Sequence, residues 1–491
     1  MNYTSSFLRT LTVWPLLILT LACGAQTPPT PSTPAADFPT AAVRASLDRY
    51  REPTITTRRF KQPDLRPLIN ALPAEFHVDT AGRSVEDRPL WRVRWGEGPT
   101  TVLLWSQMHG DEPTATAALF DLFNWLRGSG DGLDDLRRTI AERLELTFLP
   151  MLNPDGAARF DRRNALGIDL NRDALHLTSP EARLLKGERD RLDADWGFNL
   201  HDQGIYYSAG FPAEKGCVLS ILAPAFDWEK TMSDRREDAA QVIALMNDHW
   251  QVDVPAQVGR YNDDFEPRAF GDNLQKWGTR TILIESGGFP GDPEKQEIRR
   301  LNLLGLIAGL HGIATGRYES FPVERYWEIP ENQSNGMHEL ILENVAVERK
   351  EGTFVMDVGF RQSERTTGPA NREYTTSAYV SDLGDLHTFG GFYRLDLMGK
   401  RVAAGKVYPG TLTANQLSRL DPRELYAQGY TAVRTTTPLP DHPLAGRLRL
   451  LPENGRLGGA ISFGATVDLL VFDENDQLEM VIANGRVNHI D

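Results

Sequence analysis

Residues 100–128, "TTVLLWSQMHGDEPTATAALFDLFNWLRG", change character midway. Thr100 to Gln107 is a short apolar run of the kind that forms a buried strand. From Pro113 onward apolar residues recur at spacings of three and four, as on a helix that packs one face. The acidic residues and the proline at the junction suit a helix N-terminus. A buried strand that runs directly into a helix is the repeating unit of an α/β fold. The polar corner between the two, "HGDE" at 109–112, sets a histidine and a glutamate three apart.

The same alternation continues outward. "ELTFLPMLN" (145–153), "WGFNLHDQ" (196–203), "CVLSILAP" (217–224) and "TRTILIES" (279–286) read as further buried strands. Helical patterns lie between them, among them 134–144, 233–250, 292–310 and a segment from Pro180 with Ser179 as its cap. The predicted fold class is α/β, a mixed, largely parallel sheet flanked by helices. Such sheets bind ligands beyond the carboxyl ends of their strands. Those ends carry His109, Glu112, Asn153, His201 and Glu285. Two histidines and a carboxylate are a common catalytic zinc set that leaves a position for water. His109, Glu112 and His201 supply that set in a chain with only 10 histidines. Glu285, closing an apolar strand before "SGG", is the natural further carboxylate to manage a proton. One His-x-x-Glu alone is a weak pattern, and an isolated "ESGG" reads as a turn; the weight lies in their joint occurrence at strand ends.

Taken in order, "HGDE", "NPDG", "RRNALGIDLNRD", "NLHDQ" and "ILIESGG" resemble the zinc carboxypeptidase family over about residues 60–315. The resemblance implies one catalytic Zn2+ held by His109, Glu112 and His201. It implies that Asn171 and Arg172 hold the C-terminal carboxylate of a peptide substrate, that Arg162 stabilises the oxyanion, and that Glu285 is the general base and acid. A guanidinium fork suits a carboxylate, and a donor aimed at charge that develops in the transition state stabilises it selectively. Tyr261 is the counterpart of the family's substrate-capping tyrosine, although an ordinary loop tyrosine fits there equally well. Asn153, Asp155 and Gly156 read as loop-shaping residues, and Arg268 and Asp272 as solvated loop charges. "HDQ" departs from the dipeptide that follows the third ligand in the digestive enzymes. Hydrolysis of amide links in cell-wall peptides and non-catalytic peptide binding by a lipoprotein remain as alternatives.

The rest of the chain bounds these readings. A net charge of -14 with no offsetting basic stretch argues against nucleic acid as a partner. Near the N-terminus "LTVWPLLILTLAC" (11–23) has the length of a signal-peptide core, and its end resembles the lipobox of bacterial lipoproteins, with Cys23 as lipid acceptor. The expected organisation is a signal peptide at 1–22, a lipid-anchored Pro/Thr-rich linker at 23–40, a catalytic domain at 41–325 and a β-rich accessory domain at 326–491. That implies an exported envelope protein, lipid-anchored or secreted, with a membrane contact through Cys23. Cys217 is the only other cysteine and reads as a buried small hydrophobe. Beyond 325, alternating patterns such as "HELILENVAVER" predict antiparallel β structure.

Overall fold

Eight strands form the central sheet in the spatial order β1-β2-β4-β3-β5-β9-β7-β8. After α1 (Thr40–Ser46) and α2 (Gln62–Asn70), the chain lays down β1 (His77–Arg83), β2 (Pro89–Trp95) and β3 (Thr100–Ser106). Then follow α3 (Thr114–Leu126), α4 (Asp134–Arg143), β4 (Leu144–Leu149), α5 (Pro154–Arg159), α6 (Pro180–Leu192) and β5 (Trp196–Asp202). The last stretch holds β6 (Ser208–Ala209), β7 (Leu219–Leu222), α7 (Asp234–Trp250), β8 (Val258–Arg260), α8 (Phe270–Lys276), β9 (Arg280–Ser286) and α9 (Gln296–Thr315). The computed structural model describes residues 38–436 and 447–490. The expected signal segment 1–22, Cys23 and nearly all of the linker 23–40 lie outside the described residues.

The centre of the sheet is parallel: β3 pairs with β4 and β5, and β5 pairs with β9. β1, β2 and β7 join antiparallel, so the sheet is mixed around a parallel core. Side chains of β3 alternate between two apolar layers, as the two-residue strand period requires. Val102 and Leu104 enter the layer shared with α3, α7 and α9, whereas Leu103 and Trp105 face α6 and α8. Burial on both faces explains why these strands read as continuous apolar runs. In α9, a Cβ on Gly305 would lie 2.1 Å from the ring of Trp250 in α7. The helices approach so closely there that no side chain fits.

The parallel centre matters for chemistry because β3, β4, β5 and β9 all end at one edge. The register sets His201 directly beside Glu285, and Trp105 beside Asn199. Neighbouring strands lie about 4.8 Å apart, so residues in register at the ends share one small volume.

The C-terminal stretch is β-rich. β10 (Asn332–Gln333) pairs with β6, and β11 (Met337–Arg349), β12 (Gly352–Thr367), β13 (Glu373–Gly384) and β14 (Gly390–Asp396) form a sheet ordered β13-β12-β11-β14. Two smaller sheets follow, and Leu340, Phe360 and Val380 share an apolar core with Leu469, Val471 and Ile482. The β12–β13 hairpin reaches back: Arg372 pairs with Asp64 at 2.7 Å, Arg58 with Glu364, and Tyr374 donates to Glu294 Oε1 at 2.7 Å. Among the described residues no helix is long and apolar enough to cross a membrane.

Candidate active site

The first two candidate ligands sit on the turn between β3 and α3. Gln107 takes a left-handed φ of 51° as the chain leaves the strand, and Pro113 caps α3. Gly110 between them approaches the first turn of α5 so closely that a Cβ would fall 2.0 Å from the backbone of Gly156. This approach packs "HGDE" against "NPDG", where Asn153 caps α5 by accepting from Gly156 N at 2.8 Å. Asp155 accepts from Ser84 Oγ at 2.7 Å and Glu86 N at 2.9 Å, so the "NPDG" residues, expected to shape a loop, instead open α5 and tie it to the β1–β2 turn.

His109, Glu112 and His201 converge, with one donor atom from each lying within 4.8 Å of the others. His109 Nδ1 lies 2.7 Å from Glu112 Oε1, and His201 Nδ1 lies 2.7 Å from Glu112 Oε2. The other ring nitrogen of His109 is 3.1 Å from Asp169 Oδ1. A carboxylate behind an imidazole fixes the ring and its tautomer, leaving Nδ1 as the ligand atom. Two imidazole nitrogens and a carboxylate fit Zn2+, with His109 so backed and His201 not. The electrostatics agree. Burial opposes charge on Glu112, but the two imidazoles outweigh it and hold its carboxyl well below the usual range. Burial likewise opposes charge on His109, yet Glu112 and Asp169 raise it to about 9. His201, more deeply enclosed, is shifted down by burial.

Glu285 stands beside His201 in the sheet, and burial followed by the charge of Glu112 raises its pKa well above the usual carboxyl value. Arg162 Nη1 lies 3.1 Å from His109 Nδ1 and 3.3 Å from Glu112 Oε1, while its Nε donates to Asp169 Oδ2 at 3.0 Å. Arg163 instead turns outward and donates to Gly167 O at 3.0 Å. Asn171 Oδ1 accepts from Phe270 N at 2.8 Å, and Arg172 is ion-paired with Glu266 at 3.2 Å. Tyr261 stacks on Tyr207 with ring centroids 6.2 Å apart, and burial, then Glu285, raises its pKa. Of these, Arg162 touches the triad directly, whereas the Asn171 side chain is engaged by Phe270 and the Arg172 guanidinium by Glu266. Arg268 is exposed and also paired with Glu266. Asp272 is not a solvated loop charge: its carboxylate accepts from Glu266 N at 2.9 Å, and burial pushes its pKa up to about 7. Cys217 is fully buried with its Sγ 3.1 Å from Leu219 O, and burial raises the thiol to about 11.

Residues 65–189 match the family described as zinc carboxypeptidase. The match spans 125 of the chain's 491 residues. Carboxypeptidase SOL1 of Arabidopsis thaliana is 36% identical over 98 residues, which is 19% of this chain and 20% of that protein. The chain thus spans about a fifth of the length of this curated relative. The metallo-carboxypeptidase of Burkholderia cenocepacia is 20% identical, covering 51% of this chain and 68% of the other with a TM-score of 0.41. Carboxypeptidase A of Helicoverpa armigera is 15% identical, covering 56% and 80% with a TM-score of 0.41. The matched zinc carboxypeptidase segment holds His109, Glu112, Arg162, Asn171 and Arg172 but stops short of His201 and Glu285. β5 and β9 bring those two to the same edge.

Two groups at this site escape a reading of the sequence. Asp169 lies inside "IDLNRD" but also accepts from Asn171 N at 2.9 Å, so it reads as an ordinary cap. Its His109 and Arg162 contacts, against the cost of burial, hold it well below the usual range. Tyr207, whose ring meets Tyr261, falls in a loop with no periodic signal.

Proposed function

We propose that this chain is a zinc-dependent carboxypeptidase that hydrolyses the C-terminal bond of peptides with a free terminus. The observation that carries this reading is the convergence of His109, Glu112 and His201 within 4.8 Å, with Glu285 in register beside His201. Zn2+ in that set supplies Lewis-acid polarisation of a water and of the scissile carbonyl. Glu285, with a pKa raised by burial, accepts the proton of the attacking water and returns it to the leaving amine. Arg162 reaches the triad from the side and donates to the oxyanion. Asn171 and Arg172 bind the terminal carboxylate, for which Arg172 exchanges Glu266. Tyr261 caps the bound residue beside Glu285.

Purified protein should contain one zinc per chain. Glu285→Gln should retain that metal while turnover falls by about 10²–10⁴-fold, the usual contribution of a general base. A variant that still hydrolyses peptide excludes this assignment. Peptides with isopeptide links form the arm that separates cell-wall amide hydrolysis, and zinc binding without turnover identifies a binding lipoprotein. The reading includes export, with a lipid on Cys23 holding the domain at a membrane. Replacing Cys23 with Ser should then move the protein from the membrane fraction to the soluble one; unchanged fractionation excludes the anchor.

A further inference from the structure

The aspartate that follows the third ligand in "HDQ" has no part in the chemistry above, yet it is tied to the segments that carry the ligands and Glu285. Asp202 Oδ2 accepts from Thr114 Oγ1 at 2.5 Å and from Lys295 Nζ at 3.0 Å. Lys295 Nζ also donates to Ser286 O at 3.0 Å. Asp202 N donates to Glu112 Oε2 at 3.3 Å. Thr114 opens α3 two residues after Glu112, Asp202 follows His201, and Ser286 follows Glu285. One carboxylate and one ammonium therefore link the start of α3, the end of β5 and the end of β9 through side chains, in addition to the strand pairing that sets His201 beside Glu285.

Both charges are withdrawn from water, with side chains 6% and 9% exposed. A buried pair is weak evidence for stability, because desolvation offsets most of its attraction. Lys295 moreover holds a left-handed φ of 52° at the start of α9, a conformation disfavoured for residues other than glycine. An ion pair kept on a strained backbone, in contact with neither the ligand nitrogens nor the expected substrate, suits a geometric task.

We propose that Asp202 and Lys295 are positioning residues that fix Glu112, His201 and Glu285 relative to one another and thereby set the zinc affinity of the site. This rests on the ligand assignment above. Supporting groups of this kind act through ligand geometry, and their loss weakens metal binding by roughly 10–100-fold.

The test uses the full chain and zinc alone, measured by chelator competition, beside the thermal midpoint of the metal-free protein. Asp202→Asn and Lys295→Met should each weaken zinc binding at least tenfold and lower the midpoint, since each leaves a buried charge unpaired. The double variant removes both charges. Its midpoint should recover toward the wild type while its zinc affinity stays at least tenfold weaker. Recovery of both, or wild-type affinity in the single variants, overturns the proposal and leaves a purely structural pair. If the charge variants fail to fold, Thr114→Val removes one bond and no charge; it should weaken zinc binding at least threefold, and unchanged affinity overturns the proposal. A wild-type chain that binds no zinc refutes the ligand assignment instead, before any variant is compared.

Discussion

At the scale of single residues, the triad prepares a cation site by holding a proton in it. His109, raised to about 9 against burial by Glu112 and Asp169, carries that proton at neutral pH. Because its folded pKa lies above the ordinary 6.5, this proton stabilises the metal-free fold fully below pH 6.5, and the stabilisation is lost as pH rises through about 9. Zinc must displace the same proton. Zinc affinity should therefore climb about tenfold per pH unit between 7 and 9 and level off above. A competition titration at several pH values reads this directly, and an affinity independent of pH contradicts it. The residue types were legible in the sequence: two histidines and a glutamate announce a zinc set, and Glu285 marks a strand end. Asp169 was not, because its role as a cap hides its contact with His109. Nor were Asp202 and Lys295, separated by 93 positions and joined only by folding.

At the scale of elements, β3, β5 and β9 were each visible as apolar runs, and each differs from its expected run by one residue at one end only. What no run of residues records is that these three lie side by side. β1 and β2 went unread because their outer faces are polar, and β8 because it is three residues long. Within the charged "RRED" stretch of α7 (235–238), Arg236 is fully buried, donating to Asp263 Oδ2 at 2.7 Å. Charge pattern cannot reveal such a partner 27 residues away. The glycines of α9 make a testable point. Gly305→Ala raises intrinsic helix propensity by about 1 kcal/mol, but the added Cβ would meet Trp250 at 2.1 Å. Overpacking typically costs about 1–3 kcal/mol, so the net change should be destabilising. Denaturant unfolding measures it, and a more stable variant would show that α7 and α9 can separate freely.

At the scale of the molecule, the β-rich stretch beyond residue 325 was legible in kind and not in placement. Its alternating pattern gives strands, but only the fold shows the β12–β13 hairpin resting on Asp64, Arg58 and Glu294. Glu294 adjoins Lys295, so this contact lies one residue from the brace behind the metal site. A chain shortened to end at residue 334 should consequently melt several degrees lower than the full chain; equal midpoints would make the β-rich stretch an independent appendage. The central claim, that this edge of the sheet recognises a free peptide terminus and cleaves beside it, concerns the molecule as a whole. Its most direct test is the ratio of kcat/KM for two peptides that differ only in a C-terminal carboxylate or amide. With the zinc-loaded full chain, the free acid should be cleaved at least 100-fold faster, consistent with the loss of charge-assisted hydrogen bonds worth roughly 1.5–3 kcal/mol each. Equal rates, or faster cleavage of the amide, would contradict it.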